Sequence, residues 1–135
     1  MDNATRKLLV EQQTEKSRKF LAQAEEMFRL NHWDITANRC YYSCFHAVQG
    51  LFISKGIVGH THAGTISQFN LHFIKTGLIE LRHGSFLSRM MQLRQKADYN
   101  CSYEISKNDV EDLIKLTSEF VDAVTKLTIQ NTEKL

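Results

Sequence analysis

The sequence predicts an all-α fold of about five helices and no strands, on three observations. Its 135 residues contain no proline. The six glycines, at positions 50, 56, 59, 64, 77 and 84, fall mostly between long periodic segments, where they punctuate helices. Apolar residues recur at helical spacing, most cleanly through Val110, Leu113, Ile114, Thr117, Phe120, Val121, Val124 and Leu127. A chain of this length fits one domain, residues 1–135, with room for a core but not for two.

The first helix is expected from about Thr5 to Leu30, where Leu8, Leu9, Phe20, Leu21, Ala24, Met27 and Phe28 alternate with charged residues. Asn31-His32-Trp33-Asp34 breaks it, and Asp34 is read as the N-cap of the next. The second helix, Ile35 to Lys55, carries a broad apolar arc of Cys40, Tyr41, Cys44, Phe45, Ala47, Val48, Leu51 and Phe52. A separate polar stripe holds Arg39, Tyr42, Ser43, His46 and Gln49. A glycine-containing loop, Gly56 to His62, leads to a shorter helix marked by Ile66, Phe69, Phe73 and Ile74, which Gly77 ends. Ser85 is read as the cap of a fourth helix running to Tyr99. Ser106 with Asp109 resembles a capping box and opens the fifth. No repeat, low-complexity tract or linker divides the chain.

Composition narrows the function without naming it. With 42% hydrophobic and 24% charged residues, the chain belongs among soluble globular proteins. No apolar run approaches a membrane span and no secretory signal is expected, so the cytoplasm is the expected compartment. Cys40 and Cys44, with Cys101, are read as reduced residues, the first two in the core. A net charge of +2 leans only weakly toward anionic partners.

Two clusters stand out. On the fourth helix, Phe86, Leu87, Met90, Met91, Leu93 and Ala97 share an arc, and Arg94 and Asp98 project into the middle of it at contact spacing. Charges are almost never fully buried unless paired. Either the two lock helix packing, or Asp98 orients a guanidinium whose donor fork suits a phosphate, with the Tyr99 phenol adding a hydrogen bond. On the second helix, Arg39, Tyr42 and His46 sit at i, i+3 and i+7, a stripe that could bind a phosphate and stack or hydrogen-bond a base; the alternative is a helix flank leaning on a neighbour. His60, Thr61 and His62 lack the spacing and carboxylate of a metal site, so no metal and no cofactor is expected.

The segments Asn38-Arg39-Cys40-Tyr41-Tyr42-Ser43-Cys44-Phe45-His46-Ala47 and Leu93-Arg94-Gln95-Lys96-Ala97-Asp98-Tyr99, with His62 opening the helix between them, resemble the small prokaryotic branch of the HEPN family over nearly the whole chain. The resemblance implies an up-and-down helical bundle that dimerises and presents the polar residues of its second and fourth helices to a shared cleft. It implies nucleotide or RNA binding and, for many members, pairing with a small nucleotidyltransferase in a toxin–antitoxin module. Ribonuclease members place a His four to six residues beyond the Arg. Here Asp98, Tyr99 and Asn100 occupy that stretch, with Cys101 next, and none is a His. The leading expectation is therefore a nucleotide- or RNA-binding HEPN protein using Arg39, Tyr42, His46, Arg94, Asp98 and Tyr99. A metal-independent endoribonuclease, with Arg94 and His46 as catalytic residues, and a non-catalytic interaction module are the alternatives.

Overall fold

The computed structural model describes residues 1–58 and 61–135. Its elements are α1 (Asn3–Arg29), α2 (Trp33–Lys55), α3 (His62–Phe69) continued by a π turn over Asn70–Ile74, α4 (Leu81–Tyr99), α5 (Lys107–Val110) and α6 (Leu113–Glu133); no strand occurs among the described residues.

The contacts fix the directions of the long helices. Residues near Val10, Ser17 and Phe28 of α1 meet Gly50, Ser43 and Trp33 of α2, so the two run antiparallel. Tyr41 meets Met91, while Trp33 and Asp34 at the start of α2 line a pocket with Ala97 near the end of α4, which makes α4 antiparallel to α2 as well. Arg82 reaches Glu119 and Arg89 reaches Asp112, so α6 reverses α4. The result is an up-and-down bundle in which α2 is the central helix and α3 bridges its C-terminal end to α4. Phe52, Phe69, Phe73, Phe120, Leu51, Met90 and Leu113 form the fully buried core.

The α1–α2 seam is narrow and polar at one point. The Ser17 hydroxyl donates to the Ser43 carbonyl at 2.7 Å, and the Ser43 hydroxyl donates back to the Ser17 carbonyl at 2.8 Å. Each buried hydroxyl is thereby satisfied. This places Ser43 in the seam, not on the polar stripe. Cys40 and Cys44 are free and buried among apolar neighbours, and burial pushes the Cys40 thiol up to about 11. Cys101 is free and exposed.

Several expected boundaries move. Asp34 is not the cap of α2; the helix opens at Trp33 after His32. Trp33 packs on Phe28 at 5.4 Å between ring centroids, and Asn31 takes φ +63° to reverse the chain, so the hinge is set by the aromatic contact. Asp34 instead sits in the first turn, where a carboxylate favours the helix dipole. Ser85 lies inside α4, which starts at Leu81, and its hydroxyl donates to the Leu81 carbonyl at 3.4 Å. The last helix divides into α5 and α6, while Ser106 and Asp109 form the reciprocal capping box. No helix among the described residues is long and apolar enough to cross a membrane.

Candidate functional site

The polar residues of α2 and α4 flank a cleft of about 380 Å³ whose walls include Asp34, Asn38 and Arg39 on one side and Leu93, Arg94 and Asp98 on the other, with Ile105 closing one end. The cleft exists because α4 outruns the core. Phe86, Leu87, Met90 and Met91 are buried, but Leu93 is half-buried and Ala97 is exposed, since the last turns of α4 overhang the start of α2. The charged pair is therefore at a rim and not within an apolar face. Its Nε–Oδ2 distance is 3.4 Å, with the Arg94 side chain 26% and the Asp98 side chain 49% exposed.

Arg94 is held by more than Asp98. Its guanidinium carbon lies 4.9 Å from the Tyr41 ring centroid and 5.3 Å from that of Tyr42, cation–π distances to both. Its Nη1 is 3.4 Å from each ring nitrogen of His62. Tyr41 is itself buried, and its hydroxyl lies against His62 Nδ1 and 3.8 Å from Met91 Sδ. The His62 ring stacks on Phe45 at 5.1 Å. Burial first and the Arg94 charge second hold the His62 imidazole below its ordinary pKa of 6.5. Burial likewise raises the Tyr41 phenol, with Arg94 opposing.

The stripe on α2 divides between two neighbours. Phe20 of α1 gathers Arg39 over its face at 5.0 Å, His46 stacked at 5.4 Å and Tyr42 tilted at 6.2 Å. Arg39 still lines the cleft, and Tyr42 lies beneath Arg94. His46 does not join them. Its Nδ1 is bonded to Gln13 Oε1 at 2.8 Å, on the α1 side of the helix. Burial and then Lys16 lower its pKa. Tyr99 is 84% exposed at the end of α4 and makes no hydrogen bond to Arg94.

Arg39, Tyr42, Arg94 and Asp98 are thus brought together, whereas His46 and Tyr99 are not. Two neighbours of Arg94 lie outside the site the sequence predicts: Tyr41, which falls in the apolar arc and is indeed buried in the core, and His62, which marks only the opening of a helix. The hydroxyl of a buried tyrosine needs a partner, which was the available signal for Tyr41. Thr61, not His62, caps α3, accepting from the Gly64 amide at 2.8 Å. His60 lies outside the described residues, among which no three His, Cys, Asp or Glu side chains converge as a metal cluster.

The pattern of the HEPN domain matches residues 10–127. The chain belongs to the HEPN family. A UPF0332 protein of Thermotoga maritima is 31% identical over 119 residues, covering 88% of this chain and 90% of that protein. "Putative toxin MJ0142" of Methanocaldococcus jannaschii is 30% identical over 120 residues, covering 89% and 82%. "Putative toxin MJ0605" of the same organism is 31% identical over 106 residues, 78% of each chain. In this HEPN chain the imidazole beside the α4 arginine comes from the start of α3, and α4 carries none after Arg94.

Proposed function

We propose that this HEPN protein is of the toxin type and binds the phosphate of RNA or of a nucleotide in the α2–α4 cleft, through Arg94 with Arg39 beside it. The observation that carries this reading is the placement of Arg94: half-buried at the mouth of the cleft, over two tyrosine rings, with one partly exposed carboxylate as its ion partner. A guanidinium braced from behind loses little freedom on meeting an anion, and its planar fork matches phosphate oxygens. Arg39 adds a second positive charge on the opposite wall, against Asp34 and Asp98, so the cleft selects a placed phosphate and not polyanions in general.

The relatives named as toxins support the toxin reading, and the family resemblance supports a homodimer paired with a nucleotidyltransferase. Binding of a fluorescent single-stranded RNA and of ATP is the direct test. Arg94→Ala should weaken binding at least tenfold and reduce the salt slope by about one, and Arg94→Lys should not restore it. Equal affinities for wild type and Arg94→Ala would remove Arg94 from the site. For the pairing, expression of the chain alone should arrest growth. Co-expression of a nucleotidyltransferase encoded beside it should relieve the arrest.

A further inference from the structure

We propose that the phosphate cleft continues into a nucleobase pocket, formed by the turn between α1 and α2 and the loop between α4 and α5, and that this pocket selects guanine. The inference rests on the phosphate reading of Arg94 and adds which nucleotide the site takes. It starts from a second cavity of about 380 Å³, lined by the aromatic Trp33 and Tyr103 and by the polar Asn31, Asp34 and Glu104. Asp34, Ala97 and Ile105 line both this cavity and the cleft of Arg94 and Arg39, so the two spaces adjoin.

The spacing suits a single nucleotide. Ala97 stands about one helical turn beyond Arg94 on α4, and Asp34 stands about 7.5 Å before Arg39 along α2. The methyl of Ala97 leaves the passage between the two spaces open. The aromatic walls are fixed before any ligand arrives. Trp33, half-buried, packs on Phe28 at 5.4 Å between ring centroids. In the loop, the Tyr103 amide donates to the Asn100 carbonyl at 2.9 Å, and the Ser102 amide donates to Asn100 Oδ1 at 3.1 Å. The Tyr103 hydroxyl donates to Asp109 Oδ2 at 3.4 Å, within the box that caps α5, and Lys96 Nζ lies 5.9 Å from the Tyr103 ring centroid. A ring held at both ends is a stacking surface that loses little freedom when a base meets it.

The polar lining chooses the base. Asp34 and Glu104 are exposed and enter no ion pair among the described residues. Asp34 is shared with the phosphate cleft, whereas Glu104 lines the base pocket and not the cleft, which makes Glu104 the reader. A carboxylate only accepts hydrogen bonds. Guanine alone among the RNA bases presents adjacent donors, N1–H and the 2-amino group, that match the two oxygens of one carboxylate. Its O6 accepts, and the Asn31 amide can donate to it. Adenine and cytosine set a ring-nitrogen acceptor beside their amino group, and uracil flanks its lone N–H with carbonyls. Each of these turns a lone pair toward the carboxylate and leaves a polar atom unpaired.

Trp33 is the single tryptophan of the chain, so its fluorescence reports on the pocket directly. The full chain is titrated with GMP, AMP, CMP, UMP and ribose 5-phosphate, with calorimetry for the ligand that has no base. GMP should quench Trp33 and bind about tenfold more tightly than the other nucleotides, while ribose 5-phosphate should bind without a quench. Ala97→Leu, a change at an exposed position that closes the passage, should weaken GMP about tenfold and leave ribose 5-phosphate within about threefold of wild type. Glu104→Gln, in the exposed loop, offers one donor and one acceptor in place of two acceptors, and should bring GMP and AMP within about threefold of each other. Equal binding of the four nucleotides by wild type would overturn the proposal, as would a Glu104→Gln variant that keeps the full preference for GMP. Either result leaves the phosphate reading standing. Arg94→Ala that binds GMP and ribose 5-phosphate as wild type does would sink the phosphate reading and this one with it.

Discussion

An arginine four residues before an aspartate on a helix is a common surface pair, worth about 0–1 kcal/mol. What distinguishes Arg94 is what lies behind it, two tyrosine rings and an imidazole. Because Asp98 is half exposed, Arg94→Ala should cost only about 1 kcal/mol in urea unfolding, from the pair and the lost cation–π contacts. A cost near 3 kcal/mol would instead indicate a buried pair. The same variant should raise the pKa of His62, since it removes a positive charge that disfavours the imidazolium. An NMR titration of the His62 ring reads this directly, and an unchanged midpoint would mean Arg94 does not face it. Arg94, Asp98, Arg39 and Tyr42 were legible in the sequence because each shares a helix face with its partner. His62 was not, since it lies 32 residues from Arg94 and meets it only through packing between helices. Their depth also escaped: the apolar arc around Arg94 gave no sign that the helix would overhang its support.

At the scale of elements, periodicity located the long helices and local chemistry placed the Ser106–Asp109 box, whose partners are three residues apart. Asp34 and Ser85 were misread because a capping residue type is only a local offer, and tertiary contacts such as Phe28 with Trp33 decided where the chain turned. Two helical glycines separate local preference from packing. A Cβ on Gly50 would meet Gln13 Cβ at 3.5 Å, an ordinary contact at the α1–α2 seam. Gly50→Ala should therefore gain up to about 1 kcal/mol from helix propensity. A Cβ on Gly84 would come within 2.9 Å of Asn70 Oδ1 and 3.0 Å of Ile74 Cγ1. The γ-carbon of a β-branched side chain cannot swing aside freely. Overpacking of about 1–3 kcal/mol should outweigh the propensity gain, so Gly84→Ala should lose stability where Gly50→Ala gains it. Thermal melts of the two variants check the opposite signs. A stabilised Gly84→Ala would mean that the π turn yields to α4.

For the whole molecule, the all-α class followed from composition and period, but the centrality of α2 did not. Its arc and stripe fixed which residues share a face, whereas the neighbours on each face came from the bundle. Three histidines now sit at those junctions: His46 against α1, His62 between α3 and α4, and His83 edge-on to Phe120 of α6. Burial lowers the pKa of each, reinforced by a nearby cation: Lys16 for His46, Arg94 for His62 and Arg82 for His83. Below the ordinary value of 6.5, the unfolded chain then binds protons that the folded chain resists. Their contribution is complete above that value and is lost as pH falls through the lowered folded-state values. The carboxyls that are shifted, Asp2 and Asp109, are lowered from 3.8 and titrate at more acidic pH, outside this window. The Tm should therefore hold between pH 8 and pH 7 and fall steadily from pH 6.5 to pH 5. His46→Gln, which keeps a polar group opposite Gln13 without a titrating ring, should flatten that fall. A Tm equally high at pH 5 and pH 7 would show that the three rings protonate in the folded bundle as readily as in the open chain.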